Sequence, residues 1–154
     1  MRLLTRYLFL FFVIGLSTQC KRNATPDPNA PVTTATQTEL LVANTWKIDR
    51  VTDIDGKTIG QAQLGLETTA LFFLNMQFTN TNIVRAIDRT TKQIRNAGDW
   101  TLVNENKAID VKVTGFKGVF KLVELTKNSL ILQQDGVPVN GVKQAANLVF
   151  VPSI

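Results

Sequence analysis

Residues 108–113 read Ala108-Ile109-Asp110-Val111-Lys112-Val113, and the alternation in this stretch decides the fold. Ile109, Val111 and Val113 fall on one face, with Asp110 and Lys112 on the other. Successive side chains of a strand point to opposite faces, so a period of two marks a strand buried on one side. The same period recurs in Gly98-Asp99-Trp100-Thr101-Leu102 and in Leu130-Ile131-Leu132-Gln133. Turn signals separate such stretches: Asp55-Gly56, Thr79-Asn80-Thr81-Asn82, Asn104-Glu105-Asn106, Lys127-Asn128-Ser129 and Asn140-Gly141. The pattern predicts strands over 46–53, 57–59, 76–79, 83–89, 97–102, 108–114, 119–125, 130–134 and 147–151. Short gaps suit hairpins, so sequence neighbours become antiparallel neighbours in space.

Residues 61–74 break the period. Leu64, Leu71 and Leu74, with Ala70 nearby, suggest a short helix or irregular flap over one end of the barrel, weakened by Gly60 and Gly65. Many short antiparallel strands with one apolar face hide their edges by closing on themselves. The expected fold is therefore all-β: a single antiparallel up-and-down β-barrel of about eight strands. Such a lumen holds packed side chains or one small ligand, and Trp46, Phe72, Phe73, Phe78, Trp100, Phe116, Phe120 and Phe150 supply its bulk. The expected strands are mostly shorter than the ~9–11 residues of a membrane-spanning barrel.

The chain has 154 residues, 17 Lys+Arg against 12 Asp+Glu, and no histidine. Without histidine, Ser–His–Asp and Cys–His catalysis are excluded, as is any zinc site that uses histidine. The bases are scattered, which does not suit nucleic acid. One cysteine, Cys20, allows no intrachain disulfide.

Cys20 sits where an apolar run ends. Arg2 and Arg6 precede Tyr7-Leu8-Phe9-Leu10-Phe11-Phe12-Val13-Ile14-Gly15-Leu16, and Ser17-Thr18-Gln19 follows. Ten helical residues rise only ~15 Å, too little for a ~30 Å hydrocarbon core, so the stretch reads as a secretory signal. It resembles the signal of a bacterial lipoprotein, which implies residues 1–19 as signal peptide and Cys20 as the lipidated N-terminus. Leu16 sits one place earlier than the usual leucine of such signals, and Gln19 replaces a small residue. The resemblance implies three acyl chains on Cys20 and a firm hold on the bilayer, since each buried methylene contributes ~0.8 kcal/mol. Residues 20–38, with Pro26, Pro28 and Pro31 and few apolar side chains, are expected to form a disordered tether. Surface-bound lipoproteins of this class often carry acidic residues after the cysteine. Lys21 and Arg22 stand there instead, which points to an outer membrane location facing the periplasm.

Residues 39–154 form the expected domain. Leu40-Leu41-Val42-Ala43-Asn44-Thr45-Trp46-Lys47-Ile48, Met76-Gln77-Phe78-Thr79, Gly98-Asp99-Trp100-Thr101-Leu102 and Val123-Glu124-Leu125-Thr126 follow one another in an order that resembles a lipocalin-like domain of bacterial lipoproteins. Asn44 replaces a glycine of that pattern. The resemblance implies an up-and-down barrel and names no ligand. Trp46 suits a plug at the closed end, while Trp100 and Phe120 are the candidates for lining a lumen. Asp49, Asp53, Asp55, Asp88 and Asp99 could in principle pair for acid–base work. Asp53 and Asp55 flank a turn, however, and Asp53-Ile54-Asp55-Gly56-Lys57 lacks the rest of a calcium loop. The expectation is a non-catalytic envelope module without metal or cofactor that binds a small apolar ligand or an envelope partner. The alternative is a structural or assembly-associated lipoprotein with a packed core.

Overall fold

The computed structural model describes residues 35–153. The expected signal peptide, Cys20 and all but the end of the expected tether lie outside the described residues. The first element, helix α1 (Gln37–Val42), begins two residues inside the stretch expected to be tether. Its cause is a capping box: Thr36 Oγ1 accepts from the Glu39 N–H at 3.2 Å, and Glu39 Oε2 accepts from the Thr36 N–H at 2.7 Å. Both groups would otherwise be orphan donors at a helix start. Six residues are too few to show a helical period in the sequence, so only the cap could have betrayed the helix.

Nine strands follow: β1 (Thr45–Thr52), β2 (Thr58–Ile59), β3 (Leu74–Phe78), β4 (Ile83–Asp88), β5 (Ile94–Val103), β6 (Ala108–Val113), β7 (Phe116–Leu125), β8 (Leu130–Val139) and β9 (Val142–Pro152). The sheet runs β2-β1-β3-β4-β5-β6-β7-β8-β9, and β1 also pairs with β9, from Trp46 opposite Pro152 to Thr52 opposite Asn147. That pairing closes eight strands into an all-antiparallel barrel, with β2 as an extra strand on β1. The expected up-and-down barrel is thus present.

The stretch that decided the fold behaves as its period requires. Ile109, Val111 and Val113 are buried while Lys112 is exposed. Leu130, Leu132, Leu148 and Phe150 join them inside, together with Phe78, Met76 and Phe120. Trp46 is buried against α1, and its Nε1 donates to the Leu41 carbonyl at 2.8 Å. It plugs the end at which α1, the start of β1 and the turns after β3, β5 and β7 gather. The opposite end, formed by the turns after β1, β4, β6 and β8, is the mouth.

Two expectations need correction. Phe73 is not interior: it is 67% exposed. It sits in a 3-10 turn, Leu71–Phe73, whose period of three turns Leu71 inward in its place. The expectation of short strands holds only in part: β1, β3, β4 and β6 have eight residues or fewer, but β5, β7 and β8 have 10 and β9 has 11, so length alone does not decide against a membrane barrel. The polarity is the argument. The interior is apolar and the outer face carries Lys112, Lys117, Lys121 and Glu124, the reverse of a lipid-facing barrel.

The ladder has gaps that other groups fill. β1 pairs with β3 only from Thr45 to Lys47 and then leans toward β9 and β2. Arg89 spans the space left over, Nε donating to the Leu74 carbonyl and Nη2 to the Ile48 carbonyl, each at 3.0 Å. Partial burial lowers the Arg89 pKa from its ordinary value, and the group stays charged. Between β5 and β6 the pairing ends at Trp100 opposite Val111, and the Lys112 carbonyl then presses on Gly98. A Cβ on Gly98 would lie well inside van der Waals contact of that backbone. We expect Gly98→Ala to destabilise the domain by about 2 kcal/mol, the middle of the range for overpacking. Urea denaturation measures it, and an unchanged midpoint would show that the crossing is not tight.

Candidate functional site

The mouth is built by the segment between β2 and β3. A 3-10 turn (Gln61–Gln63), helix α2 (Leu66–Ala70) and the 3-10 turn at Leu71–Phe73 form a strap. This is the short helix or flap expected over residues 61–74. It is pinned to the β8–β9 hairpin, because the Gly65 N–H donates to the Pro138 carbonyl at 2.9 Å and the Asn140 N–H to the Gln63 carbonyl at 2.7 Å. Leu64 forms a bridge with Val139. The strap therefore extends the β8 edge as a very short strand before α2 crosses to β3.

Two cavities flank α2. One, of about 250 Å³, is walled by Leu66, Leu71, Leu74, Ala86, Val113 and Phe116. The other, of about 230 Å³, is polar and holds Thr68, Lys117, Gln134 and Lys143. A third groove of about 620 Å³ lies farther along the outer surface, among Gly118, Val119, Lys121, Gln133 and Asp135. Phe116 is the floor of the apolar cavity. It stacks on Phe120 at 4.5 Å between ring centroids and meets Phe150 edge-on at 6.3 Å.

Neither lumen candidate lines any of these three cavities. Phe120 is fully buried behind Phe116. Trp100 lies toward the closed end, where its Nε1 donates to the Thr79 carbonyl at 3.1 Å and its ring meets Phe78 edge-on at 5.7 Å. Leu66, Ala86 and Val113 join the cleft with no sequence signal that groups them. They belong to three elements, and no local spacing brings them together.

The mouth rim is apolar as well. Ile54, Leu66, Phe73, Ile94 and Val142 are exposed large apolar side chains on its loops and strand ends. Of the aspartates considered for catalysis, Asp53, Asp55 and Asp88 lie at turns of the rim, and Asp49 and Asp99 lie on strands β1 and β5. Asp49 pairs with Arg50 at 2.6 Å. Asp53 Oδ1 accepts from the Asp55 and Lys57 N–H groups at 3.0 and 2.9 Å, which is turn chemistry. Among the described residues, no three His, Cys, Asp or Glu side chains form a group able to hold a metal ion.

No protein-family model matches this sequence, and no curated protein matches it. The chain is similar to two solved structures. One is a lipocalin-like protein from Bacteroides uniformis ATCC 8492, with 15% identity, a TM-score of 0.49, and coverage of 73% of this chain and 98% of that one. The other is a DUF4847 family protein from Bacteroides vulgatus ATCC 8482, with 11% identity, a TM-score of 0.47, and coverage of 75% and 96%. The barrel itself, a closed meander of eight strands with a helix at one end, has lipocalin-like architecture.

Asp88 fixes the β4–β5 turn on the rim. Its Oδ1 accepts from the Thr90 and Thr91 N–H groups at 2.9 and 2.8 Å, and Oδ2 accepts from Arg95 Nε and Nη2 at 3.0 and 2.9 Å. The Thr91 N–H first, then the Arg95 guanidinium and the Thr90 N–H, hold this carboxyl well below its ordinary range. A carboxyl whose pKa is depressed by folding stabilises the fold above its unfolded pKa. That stabilisation is lost as pH falls toward the folded value. Asp88→Asn keeps an acceptor for the turn but loses the charge. We expect the parent to lose more thermal stability than Asp88→Asn between about pH 5 and about pH 2, followed by circular dichroism. Parallel curves would remove Asp88 from the acid response.

Proposed function

We propose that this protein is an envelope-anchored, non-catalytic binding module, held to the outer membrane through acylated Cys20, whose mouth takes a small apolar ligand. The observation that supports the ligand site is the apolar cavity under α2. Its walls are almost wholly hydrocarbon, and it meets solvent at a strap rather than within a closed core. Its volume of about 250 Å³ exceeds the ~150 Å³ apolar cavity that holds one benzene and is just short of the ~300 Å³ at which drug-sized sites begin. A ligand of one ring or a short alkyl chain fits that space. A long acyl chain does not, because the barrel interior behind Phe116 is filled by Phe120, Phe150 and Leu132.

The filled interior favours a second reading, in which the same lipoprotein is a structural component with no ligand. The two readings part on one measurement. 1-Octanol is added to the purified domain during thermal unfolding, in the parent and in Ala70→Trp, which adds bulk at a residue of the cavity wall. The binding reading expects octanol to raise the parent's melting temperature, by an amount equivalent to about 2.7 kcal/mol at a hundredfold excess over its Kd. Ala70→Trp should show a much smaller rise. Equal rises in both place the ligand elsewhere. No rise in either, with no molecule copurifying from the host envelope by native mass spectrometry, leaves the structural reading.

The anchor is tested separately. Lys21 and Arg22 after Cys20 support a periplasmic orientation. Cys20→Ser should move the protein from the membrane pellet to the soluble fraction and abolish incorporation of labelled fatty acid. A variant that still sediments would end the lipoprotein reading.

A further inference from the structure

The barrel is not fully laced. β7 and β8 pair from Leu125 opposite Leu130 to Lys121 opposite Gln133, and no pairing follows toward the mouth. Residues 116–120 of β7 remain bonded to β6. The far part of β8 remains bonded to β9, after a register shift between Gln134 and Val137 where Gly136 adopts φ +76°. The two strands therefore separate toward the mouth, and the polar cavity and the outer groove lie in series along the gap, both touching Gln134.

The direction of the backbone groups follows from one bond. The Leu122 N–H donates to the Lys107 carbonyl, on the β6 side. N–H and C=O groups of alternate residues point to opposite edges of a strand. Those of Lys121, Val119 and Lys117 therefore face β8, and beyond Lys121 no strand residue answers them. On the other bank, Pro138 of β8 and Asn140, just past its end, bond Gly65 and Gln63 of the strap along the facing edge. The molecule thus already completes part of this edge with a short extended segment, and it leaves the neighbouring part open.

Charge says what kind of strand fits. Lys117, Lys121 and Lys143 border the gap and form no ion pair among the described residues. Glu67 and Asp135 are the carboxylates beside them. Val119 is exposed on the same strand and offers an apolar contact.

We propose that the β7–β8 seam is an acceptor for an extended, acidic polypeptide segment of a partner protein, which pairs with the backbone of Val119 and Lys117 as an added strand. Only a polypeptide repeats donor and acceptor at the strand spacing of ~3.3 Å, and strand addition is an established mode of peptide recognition. Acidic side chains on its outward face would meet Lys117 and Lys121. This site is separate from the apolar cavity, and neither proposal needs the other.

The test uses the folded, isotope-labelled chain and a capped peptide of about seven residues alternating glutamate and valine, long enough to span the open edge. Binding should shift the Lys117 and Val119 amide resonances and slow their hydrogen exchange at least tenfold. A peptide with alternate amides N-methylated should not bind, and the surface variant Lys117→Glu/Lys121→Glu should weaken binding at least tenfold. The proposal is overturned by any of three results: slow exchange of the Val119 and Lys117 amides in the free protein, equal binding of the methylated peptide, or concentration-dependent dimerisation that protects the same amides without peptide. The last would make a second copy of the chain the occupant.

Discussion

A sheet becomes a barrel only if its first strand finds partners on both edges, and β1 carries that burden here. One edge is matched to β9 over nearly its whole length, with a register shift between Ile48 and Arg50. The other edge is divided between β3 at its start and β2 at its end. The space between these partners is where Arg89 donates to carbonyls of both β1 and β3. A guanidinium is suited to this, since its donors are fixed in a planar fork and it stays charged when partly buried. Closure at eight strands then sets the bore. Side chains just fill a barrel of that size, which is why Trp46, Phe78, Phe120 and Phe150 pack the interior and the apolar cavity lies at the mouth.

How much of this the sequence disclosed depends on how local each signal was. The alternation at Ile109, Val111 and Val113 is a property of six residues, and it survives folding unchanged. The Asp55-Gly56 and Asn140-Gly141 turns are equally local, and both glycines adopt positive φ as such turns require. The extension of β8 past the expected end at Gln134, and with it the early start of β9, is hidden because Asp135-Gly136 is a turn-type pair. The pair is in fact part of a bulged strand held by its partner β9. Helix α1 was hidden because its stability comes from one capping box and the burial of Leu41, not from a repeating pattern.

The candidate site was legible only in its parts. Leu71 and Leu74 stand out in a segment expected to lie over one end, and Phe116 is among the aromatics expected inside. Their meeting around one cavity depends on where β6 ends relative to β3, a register that no local spacing encodes. Trp100 and Phe120 are large aromatics on alternating strands, which makes them candidates for lining a lumen. In a bore this narrow the same size makes them packing, with Trp100 tied to Thr79 and Phe120 wedged behind Phe116.

The three junctions where the ladder is incomplete show that closure tolerates different repairs. The β1–β3 junction is bridged by charged donors, and the β5–β6 junction by direct backbone contact over Gly98. The β7–β8 junction is bridged only in part, by the strap. An unmatched N–H or C=O is costly when buried and cheap when water reaches it. The groove beside Val119 is open to solvent. This also bounds what an added strand can gain there. Each hydrogen bond would replace one to solvent and contribute a net of only about 0.5–1.5 kcal/mol. The few groups on Val119 and Lys117 would therefore hold a partner weakly. Selectivity would have to come from its side chains and from the lysines that line the seam.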